Sequence, residues 1–390
     1  MKNRLTIVRS EVIDSSDEGS QVALPLKPKL VPQRFAYRLL RVVGAVLVIF
    51  LLSGAALFWF VRPSQITIVN APPTSRIRVQ TVQARLYPFP SSQVGLMQPA
   101  VDAQDNLWVG EMGANRLARL DGRSGAITTW EPPDAKFGIM TTRIDAQGNV
   151  WFVEQNANYL GRFDPHTNAF TTFPLGLVQG KRLGPQDLQF DAAGKLWFTA
   201  FMGHALGRLD PTTGAIQTWS VPAPGITGSP FALALTSTGQ VWFGDLPGGA
   251  VGHLDPATGQ IRFYRLASPE AEIFSMTSDL TGRLWFTELD SGELGMIDPS
   301  TNRVTEFSVP ATLGLPHGLY TISRALDGSL WFVDNGANAL VRYVPDSSAF
   351  TFYSLSVPAC TPYALAIDSV GDVWFVVAGG DESTIGRFTP

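Results

Sequence analysis

Seven tryptophans, Trp108, Trp151, Trp197, Trp242, Trp285, Trp331 and Trp374, stand 43, 46, 45, 43, 46 and 43 residues apart, and six of them are followed by phenylalanine. A period of roughly 40 to 50 residues around a fixed aromatic marks a β-propeller blade, a four-stranded sheet that cannot bury both faces alone and must stack between neighbours. Seven repeats therefore predict an all-β, seven-bladed β-propeller. The repeats fill about three quarters of the 390 residues as one closed object, leaving one large domain and an N-terminal appendage. With 37 Gly and 28 Pro, 45% hydrophobic residues and only 16% charged, the chain suits many short strands joined by tight turns.

Each blade follows one template. A first strand (139 to 144 in the second repeat) leads through the turn Ala146-Gln147-Gly148-Asn149 into a second strand bearing Trp-Phe; a third ends in Gly161-Arg162-Phe163-Asp164-Pro165 and a fourth covers 169 to 173. The seventh repeat ends at Pro390, straight after its third strand, Ile385-Gly386-Arg387-Phe388. Residues 84–90, Ala-Arg-Leu-Tyr-Pro-Phe-Pro, read like the fourth strands of other repeats, such as Thr128-Thr129-Trp130-Glu131-Pro132. They are expected to complete the last blade, close the ring and remove an exposed edge. The propeller is thus placed at 84–390.

Residues 42–61 are twenty uncharged residues bounded by Arg41 and Arg62, the length a helix needs to cross a bilayer. The preceding tail, 1–41, holds eight Lys/Arg, so the positive-inside bias keeps it cytoplasmic and puts the propeller outside the cytoplasm. The rival is a cleaved signal peptide, for which a forty-residue leader is long. Residues 62–83, with Ala71-Pro72-Pro73, read as a stiff linker. Cys360 is the only cysteine, so no disulfide staples the exported domain. Beyond residue 61 there remain 21 basic and 29 acidic residues, a balance that repels phosphate backbones and argues against nucleic acid as a partner. A monomer is expected.

Repeats of the form Asp-x-x-Gly-[Asn/Lys]-[Leu/Val]-Trp-Phe-[Thr/Val]-Glu, followed by Gly-Arg-[Leu/Phe]-Asp-Pro-x-Thr-Gly, resemble those of the virginiamycin B (streptogramin) lyase family over about residues 84–390. The resemblance implies a seven-bladed propeller and a Mg²⁺-dependent, non-hydrolytic opening of a cyclic depsipeptide lactone. It also implies Glu-x-His on a first strand facing the Glu of Trp-Phe-x-Glu, with a further His nearby. The His position, eleven residues before each Trp, holds Met97, Met140, Gln186, Phe231, Phe274, Tyr320 and Tyr363. A carbon ring cannot take a proton, so the family's acid/base step is expected to be degraded. The repeat containing Glu272-Ile273-Phe274 and Glu288 comes nearest to the motif.

Three residues after each Trp stand Glu111, Glu154, Ala200, Asp245, Glu288, Asp334 and Val377. Hairpin pairing is expected to set each opposite the residue eleven before the Trp, so that five carboxylates share one channel mouth. Such a cluster suits Mg²⁺, Ca²⁺ or a cationic ligand; the alternative is that each carboxylate accepts backbone hydrogen bonds. Asp245 with Phe231, Phe274, Tyr320 and Tyr363 would form an acidic and apolar floor for a small-molecule or peptide ligand, or the rings simply plug the channel. Of four histidines, His166, His204 and His253 read as turn or surface residues. His317, in Leu315-Pro316-His317-Gly318, lies three residues too early to be the motif histidine unless its hairpin is longer, in which case it faces Asp334. Three functions stay open: a ligand-binding propeller with degraded chemistry, an active lyase, or a lactonase-like hydrolase. In the active lyase Glu272, Glu288 and Asp334 would hold Mg²⁺, with His317 as base and the two glutamates beside it in the catalytic set.

Overall fold

The period-2 alternation of each repeat becomes four short antiparallel strands, and the computed structural model arranges them as seven sheets in chain order. It describes the side chains of residues 76–89, 94–133, 138–222, 228–269, 271–311, 317–356, 361–377 and 383–390, together with the backbone of Val69–Asn70. The tail 1–41 and the apolar run 42–61 lie outside the described residues; among those described, no helix is long and apolar enough to cross a membrane. Blade 2 shows the pattern: Ile139–Ile144, Val150–Glu154, Tyr159–Asp164 and Ala169–Pro174, hydrogen-bonded in sequence order. The innermost strands of successive blades then line a central channel.

Blade 7 takes its fourth strand from the other end of the repeat region. Arg85–Pro88 pairs antiparallel with Thr384–Phe388, Leu86 opposite Gly386. The segment just before it corrects the sequence reading. Arg76–Val82, assigned to a linker, is a fifth strand on blade 6, parallel to Ala349–Leu355, and Val69–Asn70 likewise pairs with blade 5. The residues Arg-Ile-Arg-Val-Gln-Thr-Val alternate with the strand period. Their partner, however, is more than 270 residues away and parallel, so no local turn announces it.

The Trp-Phe signature has two mechanical roles. Trp108, Trp151, Trp242, Trp285 and Trp374 are fully buried, and in five blades the indole Nε1 donates to the Asp six residues earlier: Asp102, Asp145, Asp191, Asp279 and Asp368, at 2.8–3.0 Å. The other oxygen of that Asp accepts turn amides, for example Gln147 and Asn149 on Asp145. One carboxylate thus ties turn to core. The Phe lies flat on the glycine of Gly-Arg: a Cβ on Gly207 would come 2.0 Å from the Phe198 ring, and one on Gly161 2.1 Å from Phe152. That contact accounts for the glycine in five blades, whereas in blade 6 Phe332 lies opposite Val341.

Neighbouring blades are stitched near the axis. Thr141 Oγ1 donates to Gln186 O at 2.8 Å, Thr199 Oγ1 to Phe231 O at 2.9 Å and Thr287 Oγ1 to Tyr320 O at 2.6 Å, while Asp187 Oδ2 accepts from Leu233 N at 3.1 Å. The innermost strands have no further β-strand on their channel side, so these side chains satisfy backbone groups that a closed ladder would otherwise leave unpaired.

Candidate functional site

Both sets of residues picked out in the sequence lie at one end of the channel, here called the upper end, but their register differs from expectation by one. Ile139 pairs with Glu154, Pro230 with Asp245, Ile273 with Glu288, Leu319 with Asp334 and Pro362 with Val377. The partner is twelve residues before the Trp, not eleven. A β-bulge follows each of these pairs, and in blades 4, 5 and 7 the residue eleven before the Trp, namely Phe231, Phe274 or Tyr363, is the extra one. Bulging turns Phe231, Phe274, Tyr320 and Tyr363 toward one another.

The carboxylates do not share an open mouth. Glu111, Glu154, Asp245, Glu288 and Asp334 are each 0% exposed. Glu111 pairs with Arg116 at 2.5 Å; Asp245 accepts from Ser229 N at 2.6 Å; Glu288 accepts from Ser291 Oγ at 2.8 Å; Asp334 accepts from His317 Nδ1 at 2.6 Å and from Ala337 N at 3.2 Å. Asp245 therefore serves the start of its own blade's first strand instead of a ligand surface. Burial pushes the Glu154 carboxyl up to about 8, offset only in part by a backbone contact at Ala157. Glu288 is also raised, by burial first and then by Glu306 and Glu293; Glu306, buried on the fourth strand of the same blade, is raised with it. The two carboxyls titrate as a pair. Sequence reading missed Glu306 because its partner lies two strands away, where no spacing rule connects them.

The aromatic residues form a continuous plug. Ring centroids are 5.3 Å apart for Phe231–Phe274, 4.8 Å for Phe274–Tyr320, 5.2 Å for Tyr320–Tyr363 and 5.7 Å for Phe274–Tyr363, the last contact skipping a blade. Gln186 and Met97 are buried beside them. Burial raises the Tyr363 hydroxyl far above the usual phenol range, and Tyr320 is raised by burial and then by Asp290 and Glu272. Glu272, half-buried, is itself raised by burial and by Asp290. Glu272, Asp290 and Tyr320 thus make an acidic rim over an apolar floor.

With this geometry in hand, comparison is informative. The family model for virginiamycin B lyases matches residues 64–325. The chain belongs to the virginiamycin B lyase family. A streptogramin B lyase structure superposes with a TM-score of 0.68 at 25% identity, over 78% of this chain and 97% of that one. The virginiamycin B lyase of Staphylococcus aureus, solved as a catalytically inactive variant with quinupristin, superposes at 0.69 with 23% identity, over 79% and 99%. The extracellular domain of a hybrid two-component system from B. thetaiotaomicron superposes at 0.59 with 19% identity, over 82% and 41%, a likeness of fold alone. No curated protein matches the chain in sequence.

Against the virginiamycin B lyase pattern, the residues proposed to hold Mg²⁺ are divided among separate partners. Glu272 faces Asp290 and Tyr320, Glu288 faces Ser291 and Glu306, and Asp334 holds His317. Among the described residues no group of three or more His, Cys, Asp or Glu side chains is placed to hold a metal ion. In this arrangement the set does not fit the metal. His317 does reach Asp334, but from just before the first strand and not through a longer hairpin, since Leu319 pairs with Asp334 in the register of the other blades; its side chain is 12% exposed, its Nε2 is buried, and its ring packs on Gly292 of the preceding blade. The Asp334 hydrogen bond raises its pKa. His204, at φ 49°, shares its left-handed turn position with Asn115, Asn158 and Asn338, His253 stacks on Trp242 at 4.3 Å, and His166 is exposed beside Asp164.

Proposed function

We propose that this chain is a membrane-anchored, extracytoplasmic propeller that binds a small-molecule or peptide ligand at its upper mouth and no longer carries out the family's ring opening. The observation that carries the reading is the plug of Phe231, Phe274, Tyr320 and Tyr363 at the positions where the family resemblance places its histidine. The phenylalanine rings have no group that can take a proton, and burial keeps the hydroxyls of Tyr320 and Tyr363 protonated, so the plug offers apolar contact but no base. The fully buried carboxylates beneath them support the same reading, each being engaged within the fold or held neutral by burial.

One observation favours an active lyase as the second reading: a His317–Asp334 pair has the geometry by which a carboxylate orients an imidazole base. Its buried Nε2 weighs against this, since a base must reach the substrate proton. The test is to incubate the full chain with a cyclic depsipeptide of the streptogramin B type and Mg²⁺, following both binding and the mass and retention of the ring-opened product. Binding without ring opening, weakened about tenfold or more by Phe274→Ala, is expected. Ring opening abolished by His317→Ala would replace this reading with the lyase. Anchoring rests on the apolar run 42–61 and its basic flank. Deleting 42–61 is expected to move the protein from the membrane to the soluble fraction.

A further inference from the structure

The lower end of the channel is a separate space with a different charge. Below the aromatic plug lies a cavity of about 310 Å³ whose wall includes Gln98, Arg143, Gln189, Ser278, Ser323 and Arg324. Two guanidinium groups and, among the described residues, no carboxylate line it. This inverts the balance of a domain in which acidic residues outnumber basic ones by 29 to 21 beyond residue 61.

The two arginines are not equivalent. Arg143 is neutralised locally, its Nη2 lying 3.0 Å from buried Asp187 and its Nη1 donating to Thr142 O at 2.8 Å. Arg324 uses only Nε, which donates to Ser278 O of the preceding blade at 2.9 Å, and it makes no ion pair among the described residues. That bond anchors the exposed side chain across the blade boundary and leaves the rest of the guanidinium fork free at the lower end of the channel. A second cavity of about 430 Å³ continues at the lower rim and shares Gln189, Ser278 and Arg324. Its two carboxylates are already occupied: Asp191 by the amides of Ala193 and Lys195 and the Trp197 indole, and Asp279 by Thr281, Arg283 and the Trp285 indole. Neither is available to Arg324.

We propose that the lower channel is a binding site for a small oxyanion, a carboxylate or phosphate of metabolite size. Arg324 is its charge partner, and the side chains of Gln98 and Gln189 are neutral donors. The volume stands at the small end of the range for ligand pockets, and the exposed arginine fork of Arg324 at its wall can recognise such groups through paired charge-assisted hydrogen bonds. This site is independent of the upper mouth and of whatever chemistry survives there.

The test is isothermal titration of the full chain in detergent micelles with inorganic phosphate and, separately, with succinate, on the wild type, Arg324→Gln, Arg324→Lys and Gln189→Met. Saturable binding of at least one probe is expected, weakened about tenfold or more in R324Q and less in R324K, with a smaller loss in Q189M. Which probe binds separates a tetrahedral from a planar oxyanion. Failure of both probes to bind, or wild-type affinity in R324Q, overturns the proposal. Should R324Q lose the wild-type circular dichroism spectrum, Q189M decides, and unchanged affinity there overturns the site.

Discussion

At the residue scale, blade 4 departs from the template in a way that can be corrected. Thr236 stands where five other blades have Asp, its hydroxyl accepts from Gln240 N, and the buried Trp242 Nε1 is left with no partner. The same blade has His253 in place of the arginine that contacts the Trp elsewhere, such as Arg387 over Trp374. Thr236→Asp restores an acceptor and is expected to raise stability in urea unfolding by about 1 kcal/mol; an unchanged midpoint would show that the indole is satisfied by water. Glu154 gives a second test. Its pKa is about 8 in the fold against 4.5 ordinarily, so the folded state binds the proton more tightly. Its contribution is fully present below pH 4.5 and is lost as pH rises toward 8. His317, also raised, acts in the same direction, its contribution being fully present below pH 6.5 and lost as pH rises above it. Glu154→Gln is expected to flatten the decline and stabilise the protein at pH 8 by a few kcal/mol, on the order its shift implies. Equal pH slopes in mutant and wild type would place the burden elsewhere.

At the scale of the element, five blades pair Phe with Gly across the second and third strands, while blade 6 pairs Phe332 with Val341. Phe198 lies opposite Gly207, whereas blade 1 places Val109 opposite Ala118. A methyl group at Gly207 meets the Phe198 ring at 2.0 Å. Gly207→Ala is therefore expected to cost roughly 1–3 kcal/mol. Adding Phe198→Val should recover part of that loss, which a double-mutant cycle would register as a coupling of at least about 0.5 kcal/mol. Strict additivity would mean that the ring and the glycine do not constrain one another. Much of this was legible, because Trp-Phe and Gly-Arg recur at fixed distances. The bulge was not, since an extra residue leaves the repeat length unchanged while shifting the pairing from Met140 to Ile139 or from Phe274 to Ile273.

At the scale of the whole molecule, closure depends on the segment that precedes the repeats. Arg85–Pro88 covers the edge of Thr384–Phe388, and Tyr87 stacks on Trp374 at 5.9 Å. A chain starting at residue 91 is expected to expose that edge and to aggregate or be cleaved within blade 7 by limited proteolysis, whereas one starting at residue 76 should resist. Equal resistance of the two would show that the ring holds without its closing strand. The sequence by itself determined the number of blades, the order of strands within them and the closing strand, because the repeat imposes local hydrogen-bonding and burial patterns that read out along the chain. The tertiary structure alone decided which carboxylates are buried, which side chains meet over the axis, that Glu306 joins Glu288, that Arg76–Val82 extends blade 6 and that Arg324 faces a channel without a carboxylate. The physical reason is that these relations join different blades or distant strands, whose separation along the chain varies freely while their separation in space is set by the closing of the ring.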